Sequence, residues 1–549
     1  MTAPDLIILS DRLLTMAGPE ADRMQGVAIV GDRIDRLVTR DEVNVLRGPE
    51  TRVIDVGERP LMPGFIDVHA HVEVACRAAY GTVDCRAPEC GSVGEVLEVL
   101  REGLAERRET GWVVGQANLF FDRKLKERRL PTREELDTVS EDVAIAVRAG
   151  GHITVLNSKA LEVAGIDRGF AAPEHSITGK PAVERDDNGD PIGIVKEMDS
   201  LLPLPPQTPE VIEAALEEGV RTLFTANGVT SIGEISETIE GLETMDRLAI
   251  ERRLGARIHA YLWAPGTVSL EQALEWQRYI ELRAGDEHVS IQGVKLFCDG
   301  GYSAKSAAVK QPYLGMGREH FGDIALERDF LLEAVPATRD ADLQLAIHAN
   351  GDRAQEWLCE VIRDAGGAPS SARLRTRIEH AGNFRPDPVT SDWWSQAGII
   401  PIPQPVFLYT FGDYFGDYLG DYGTQGRFQF ADLIADGWTL TGSSDVWVGS
   451  EREATNPLFS IWCCLQRQTY DERFIDVEQA TTVDQALRMH TINGAEVLGL
   501  AAEKGSLEPG KLADLVVLDR DPYATAVDDV RQIKVQAVFL GGALVHGTI

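Results

Sequence analysis

Strand-like and helix-like segments alternate through the middle of this chain, and that alternation limits the possible folds more than any other feature. The strand candidates are Val143–Val147, Thr230–Ile232, Ile258–Leu262, Gly293–Phe297, Leu343–His348, Arg375–His380 and Thr439–Gly442. The helical candidates are Val93–Thr110, Pro209–Thr225, Leu270–Leu282, Asp329–Asp340 and Ala354–Ala365. A strand followed by a helical crossover returns to the same end of the sheet, so such strands pair in parallel. The length suits a (β/α)8 TIM-like barrel of roughly 250 residues enlarged by insertions. Short β segments lie at both ends of the chain, Leu6–Leu9, Gly26–Val30, Arg33–Val38 and Arg52–Val56 against Ala513–Leu518, Val535–Leu540 and Gly542–Val545. They predict one small β-sandwich domain formed by both termini. The expected division is 1–60 for its N-terminal part, 61–480 for the barrel with an insertion at about 72–200, and 481–549 for a C-terminal helix and the rest of the sandwich.

The chain has 549 residues and a formal net charge of −33. Such a surface repels phosphate backbones, which argues against nucleic acid as a partner. No run approaches the roughly 20 apolar residues of a membrane span. The N-terminus carries no basic leader, and a cytoplasmic location is expected. Seven cysteines, an odd number, fit a reducing compartment. A homo-oligomer, most simply a dimer, is the expectation for a chain of this size.

His69 and His71 end the run Pro63-Gly-Phe-Ile-Asp-Val-His-Ala-His71. Alternation along a strand places Ile66, Val68 and Ala70 on one face and Asp67, His69 and His71 on the other. Two imidazoles on one face suit a shared divalent metal. Further polar residues close other strands: His348, His380, Asp445 in Gly442-Ser-Ser-Asp445, and Lys295 with Asp299 following it. Barrel enzymes carry their chemistry at the C-terminal ends of strands. Lys295 cannot ligate a metal as an ammonium. Burial among cations lowers its pKa, and the free amine can add carbon dioxide to become a two-oxygen carbamate. Pairing of Lys295 with Asp299 is the alternative that spacing leaves open.

These pieces resemble the amidohydrolase superfamily, and most of all its family-3 branch. The matching stretches are Pro63–His71, Gly151-His-Ile-Thr-Val-Leu-Asn157, Val294-Lys-Leu-Phe-Cys-Asp-Gly300, His348-Ala-Asn-Gly-Asp-Arg-Ala354, Arg377-Ile-Glu-His-Ala381, Gly442–Asp445 and Gly505-Ser-Leu-Glu-Pro-Gly-Lys-Leu-Ala-Asp-Leu-Val-Val-Leu518. They also include Glu184–Asp190 with Gly193 and Glu197, and together they span nearly the whole chain in family order. The resemblance implies that His69, His71 and Asp445 hold one metal and that His348 and His380 hold a second. A carbamylated Lys295 would bridge them. It implies that Asp445 takes a proton from the activated water and passes it to the leaving group, and that His152 contacts the substrate carbonyl. Asp299, Tyr302 and Gln404 are the remaining candidates for substrate contact.

The resulting expectation is a hydrolase of a non-peptide C–N bond, an amide or an N-acyl or N-formyl amine, acting on a small molecule. Zinc is the expected metal, with manganese, iron or cobalt as substitutes. Deamination, decarboxylation or another lyase reaction on the same barrel is the alternative, and a non-catalytic binding protein is a lesser one. Three places depart from the family pattern, the first being Cys298, where relatives tend to have Ala after the strand-four Phe. Where relatives carry Gly-Ser-Arg after the strand-four Asp-Gly, this chain has Tyr302-Ser-Ala-Lys305. A triple Gly-Asp-Tyr repeat occupies 411–422. Its glycines and aspartates predict a surface loop, with a lid over the pocket as the sharper reading.

Overall fold

The computed structural model describes residues 3–19, 21–107, 111–174, 176, 178, 180–316 and 319–549. Seven strands form one parallel sheet in the chain order Phe65–Ala70, Val229–Ser236, Arg257–Trp263, Val289–Phe297, Gln344–His348, Arg377–Glu379 and Ile400–Ile402. Helices fill the connections, among them Pro209–Gly219, Ile239–Ile250, Arg328–Asp340, Asp352–Asp364 and Thr390–Ala397. Their apolar faces and the outward faces of the strands form one large core. This is a TIM-like α/β architecture.

The eighth position differs from the expectation. Thr439–Gly442 forms no ladder strand. The extended segment instead reaches across the gap by separate hydrogen bonds. Asp445 N donates to His69 O (2.8 Å) and His71 N to Val446 O (3.1 Å) on one side. Ser443 Oγ donates to Pro403 O (3.0 Å) on the other. Two serines after Gly442 offer little β propensity, and two isolated backbone bonds with one side-chain bond stand in place of the ladder.

The expected alternation along the first strand is also broken. Its register against the second strand shifts between Asp67 and Ala70. Ile66 and Val68, expected to pack outward, share a cluster with Tyr261, Trp263 and Ala346. Trp263 and Ala346 pair directly with Lys295 in the sheet. A bulge re-aims the side chains that follow it, and here it turns His69 toward the same interior as Val68.

Residues 83–196 hold a separate sheet in the order Ala182–Arg185, Pro191–Lys196, Ile153–Leu156, Ala144–Ala149, Trp112–Ala117, Val83–Asp84. The strand foreseen at Val143–Val147 belongs here and not to the barrel. The helix foreseen at Val93–Thr110 is observed as Val93–Arg107, and 108–110 lie outside the described residues. Leu270–Leu282 is shorter than foreseen: a helix at Leu270–Leu274, capped by Ser269, and a 3-10 turn at Trp276–Arg278.

The terminal segments build two four-stranded sheets. One contains Leu6–Leu9, Gly26–Val30, Arg33–Val38 and Arg52–Asp55; the other contains Leu61–Pro63, Leu515–Leu518, Val535–Leu540 and Ala543–Gly547. Ile8, Val27, Ile29, Val517 and Phe539 share a core between them. The buried pair Arg257–Asp514, bonded through Nε–Oδ2 (2.8 Å) and Nη2–Oδ1 (2.9 Å), fastens these sheets to the third barrel strand.

The Gly-Asp-Tyr repeat is not a surface loop. It runs through the helices Val406–Phe411 and Phe415–Leu419 and the 3-10 turn Gly420–Thr424. Phe411, Tyr414, Phe415 and Tyr418 are buried, and three of these rings pack around Phe120 at 5.1–5.4 Å. The four-residue spacing that reads as turn chemistry also puts successive aromatic rings on one helical face.

Candidate metal centre

Six side chains converge inside the mouth of the barrel. His69 Nε2 lies 3.1 Å from Asp445 Oδ1, and His71 Nε2 lies 3.5 Å from the same oxygen. Ligand-type atoms of His69, His71 and Asp445 all fall within 4.8 Å of one another. Lys295 Nζ sits 3.5 Å from His69 Nε2. His348 Nδ1 and His380 Nε2 face each other at 2.9 Å, and His380 Nδ1 lies 3.9 Å from Asp445 Oδ2.

The hydrogen bonds behind these rings set their tautomers. His69 Nδ1–H donates to Glu379 Oε2 (2.5 Å). His380 Nδ1–H donates to Gln404 Oε1 (2.7 Å), and His348 Nε2 accepts from Asn350 Nδ2–H (3.1 Å). His69 and His380 therefore each turn the Nε2 lone pair inward. With Nε2 accepting from Asn350, His348 Nδ1–H donates to His380 Nε2 (2.9 Å), and a cation bound by both rings would displace that proton. Burial lowers the pKa of His71 to about 3 and of His380 to about 4, and it lowers His348 as well. Burial pushes the Asp445 carboxyl upward, but the surrounding histidines, His69 first, outweigh it and hold Asp445 below the usual carboxylate range. The neutral imidazoles of His71, His348 and His380 beside one carboxylate match the protonation state that a divalent ion requires. Asp445 and His380 also take the left-handed backbone conformation (φ 44° and 76°). Non-glycine residues hold it only where the surroundings enforce it.

Burial lowers the Lys295 amine to about 8. Lys295 is fully buried, lies over the Phe297 ring (4.7 Å) and makes no ion pair with Asp299. Asp299 itself does not face the cavity, contrary to the expectation of substrate contact. Its oxygens accept from the backbone amides of Asn350 (2.9 Å), Gly351 (2.8 Å) and Ala308 (2.8 Å). It binds together the loops that follow the fourth and fifth strands. Gln404, the other candidate for substrate contact, likewise does not line the cavity. It is fully buried and orients His380, with Asn383 Nδ2 donating to the same oxygen (2.7 Å).

His152 occupies the turn between the antiparallel strands Ala144–Ala149 and Ile153–Leu156. Gly150 and Gly151 make that turn with φ of 65° and 75°. A side chain at Gly151 would lie 2.5 Å from Trp447 Nε1, so only glycine lets the hairpin approach the barrel. His152 Nδ1–H donates to the buried Glu197 Oε2 (2.9 Å). Glu197 also accepts from Ser306 Oγ–H. His152 shares one cavity with His71, His348, His380 and Asp445. Tyr302, Phe120, Phe407, Phe411 and Trp447 also line it. The Tyr302 hydroxyl donates to Asn350 O (2.6 Å), so that residue presents its ring.

Burial lowers the His152 pKa, but the Glu197 carboxylate more than offsets this and the net shift is upward. A raised histidine pKa adds stability that is complete below about 6.5 and is lost as pH rises through the folded-state value. The stability gap between the parent protein and His152→Gln is therefore expected to be larger at pH 5.5 than at pH 9. Urea unfolding at both values checks this, and a gap that widens toward pH 9 refutes it.

Several site residues escaped the sequence reading. Glu379 and Arg377 form a fully buried pair (Nε–Oε1 2.8 Å) behind His69. Their spacing of two on one apolar strand, directly before His380, was a usable sign. Glu237 Oε1, 3.4 Å from His71 Nδ1, and Trp447, whose ring centroid is 3.9 Å from that of His71, carried no local sign.

The amidohydrolase family model matches residues 52–546. N-substituted formamide deformylase of Arthrobacter pascens is 28% identical over 98% of both chains. Protein LONG AFTER FAR-RED 3 of Arabidopsis thaliana is 26% identical over 98% of this chain and 91% of its own. Among solved structures, an uncharacterized metal-dependent hydrolase from Pyrococcus horikoshii superposes with a TM-score of 0.69 at 21% identity, covering 95% of this chain and 99% of that one. No helix among the described residues is long and apolar enough to cross a membrane.

Proposed function

Because this chain belongs to the amidohydrolase family, hydrolases of carbon–nitrogen bonds other than peptide bonds, we propose that it hydrolyses the amide bond of an N-acyl amine, with an N-formyl amine as the leading substrate. The observation that carries this reading is the convergence of His69, His71 and Asp445 within 4.8 Å, beside the opposed His348 and His380. These five residues would hold one or two divalent ions, zinc first among them. Such an ion supplies a water of lowered pKa and polarises the carbonyl.

The chain's own groups do the rest. Asp445 stays anionic and accepts the proton of the attacking water, then returns it to the departing nitrogen. His152, held by Glu197 through Nδ1, offers its other ring nitrogen to the carbonyl oxygen, where negative charge develops. The free Lys295 amine would attack carbon dioxide and lose one proton, leaving a carbamate whose single negative charge is shared by two oxygens beside His69. An amine with a pKa of about 8 is half free at that pH, whereas an ordinary lysine is almost wholly protonated. The two terminal sheets with their common core support a β-sandwich domain drawn from both termini. All seven cysteines are free buried thiols, which supports a reducing, cytoplasmic setting.

The test is chelator-stripped protein assayed for amine release from small N-formyl and N-acetyl amines, with ammonia measured in parallel. Stripping is expected to lower the rate by at least about 100-fold, and zinc to restore it. Lys295→Ala is expected to lose activity and to regain part of it with added short carboxylic acids. Undiminished hydrolysis by metal-free protein refutes the reading, and ammonia without amine moves the reaction to deamination.

A further inference from the structure

A second cavity lies behind the catalytic one, and Trp447 and Thr178 line both. The charged groups of the second cavity are Arg77, Arg148, Asp199 and Glu237. Three of them are satisfied inside the fold. Arg77 donates to Glu73 Oε1 (2.7 Å) and to Gln207 Oε1 (2.6 Å). Arg148 binds both oxygens of Asp199, through Nε at 2.6 Å.

Glu237 is the exception. Among the described residues its only basic neighbour within 4 Å is His71. Glu237 Oε1 and His71 Nδ1 stand 3.4 Å apart, both are buried, and among the described residues neither has a hydrogen-bond partner. Two unsatisfied buried atoms are costly as they stand. Closing by a few tenths of an ångström would join them in a hydrogen bond. The rest of the Glu237 side chain opens on the second cavity, with 18% of its surface exposed.

The backbone at Glu237 is held on both sides. It follows the strand Val229–Ser236 and precedes Thr238, whose Oγ1 accepts from Gly241 N (2.8 Å) and caps the helix Ile239–Ile250. The Thr267 hydroxyl is shared between the carbonyl oxygens of Ser236 (2.8 Å) and Glu237 (2.7 Å). Behind two other rings a side-chain oxygen serves the same ring atom: Glu379 for His69 Nδ1 and Gln404 for His380 Nδ1. A neutral imidazole carries one ring proton. If Nε2 gives its lone pair to a metal, that proton sits on Nδ1 and needs an acceptor.

We propose that Glu237 is a positioning residue of the metal centre: its Oε1 accepts the His71 Nδ1 proton and so keeps the Nε2 lone pair free for a metal ion. The second cavity leaves room for water at the other carboxylate oxygen, where Glu379 has Arg377 instead. The inference rests on reading His71 as a metal ligand, and it does not depend on which bond the protein cleaves.

Metal affinity tests this without turnover. Glu237→Ala is expected to bind zinc about 10- to 100-fold more weakly than the parent protein in competition with a coloured chelator. The Tm of the metal-stripped variant is expected not to fall, since the change removes an unsatisfied buried oxygen. Acetate can reach the emptied position through the second cavity, and it is expected to restore most of the lost affinity. It is expected to change neither the parent protein nor Glu379→Ala, because Glu379 is fully buried and lines neither cavity. Undiminished zinc affinity in Glu237→Ala, a loss that acetate does not reverse, or a lower Tm of the metal-stripped variant overturns the proposal. The parent protein gives an independent reading. A crystal structure of its zinc-loaded form with Glu237 Oε1 more than about 3.5 Å from His71 Nδ1 also overturns it. Amine release from N-formyl amines is scored separately. Hydrolysis with Glu237-independent zinc keeps the hydrolase reading and loses this inference; zinc held through Glu237 without amide hydrolysis does the reverse.

Discussion

Asp445→Asn is expected to lower kcat by about 10³- to 10⁴-fold, because it removes the proton acceptor and donor of the proposed reaction together with an anionic metal ligand. Asparagine keeps the size of the side chain, so the cavity keeps its shape. The carboxylate lies within 3.1 Å of His69 and 3.5 Å of His71, and its backbone amide is tied to His69 O. The neighbouring histidines already stabilise its anion, and burial opposes them. A neutral amide therefore withdraws the one charge around which those rings are arranged. Initial rates on the metal-reconstituted variant, with metal content measured on the same sample, decide the point. Activity within tenfold of the parent protein would rule out Asp445 as the proton carrier.

Glu379→Leu is expected to cost about 3–5 kcal/mol of stability, since it leaves the Arg377 guanidinium buried without its counter-charge. Both residues are fully buried, and Arg377 is bonded to both Glu379 oxygens at 2.8 and 3.1 Å. The same change removes the acceptor of the His69 Nδ1 proton and frees that ring's tautomer. Metal affinity is expected to fall by roughly 10- to 100-fold even in Glu379→Gln, which keeps the shape. Burial raises the Glu379 pKa, but Arg377 and then His69 outweigh it and the net shift is downward. The carboxylate's contribution is thus complete above the unfolded value of about 4.3 and is lost as pH falls through the lower folded value. Denaturant midpoints at pH 7 measure the stability loss, and competition with a coloured chelator measures the affinity. Unchanged midpoint and unchanged affinity together would leave Glu379 without a positioning role.

Much of the candidate centre was visible as local pattern. A histidine or aspartate closing an apolar run is a statement about one strand, and strands in a β/α alternation all point their C-terminal ends the same way. His69, His348, His380 and Asp445 are of this kind. Lys295 stood out because a lysine inside an apolar strand needs an explanation. The misreadings came where local pattern has no say. Asp299 follows Lys295 in a stretch that reads as catalytic, yet backbone amides of its own loop (Ala308) and of the loop after the fifth strand (Asn350, Gly351) occupy its oxygens. The repeat at 411–422 reads as turn chemistry, yet its rings are buried against Phe120 from the insertion.

The amino-acid sequence by itself determined the parallel α/β architecture and the residue types at the strand ends. Periodicity and turn chemistry act over a few residues, and they survive whatever the rest of the chain does. Tertiary structure alone decided which carboxylate stands behind which histidine. Glu379 reaches His69 across 310 positions, and Glu197 reaches His152 from another strand of the insertion. It also decided that the first strand bulges and that the eighth segment closes the ring without a ladder. Hydrogen bonds and packing between distant segments depend on where whole elements come to rest, and no local rule of propensity encodes that placement.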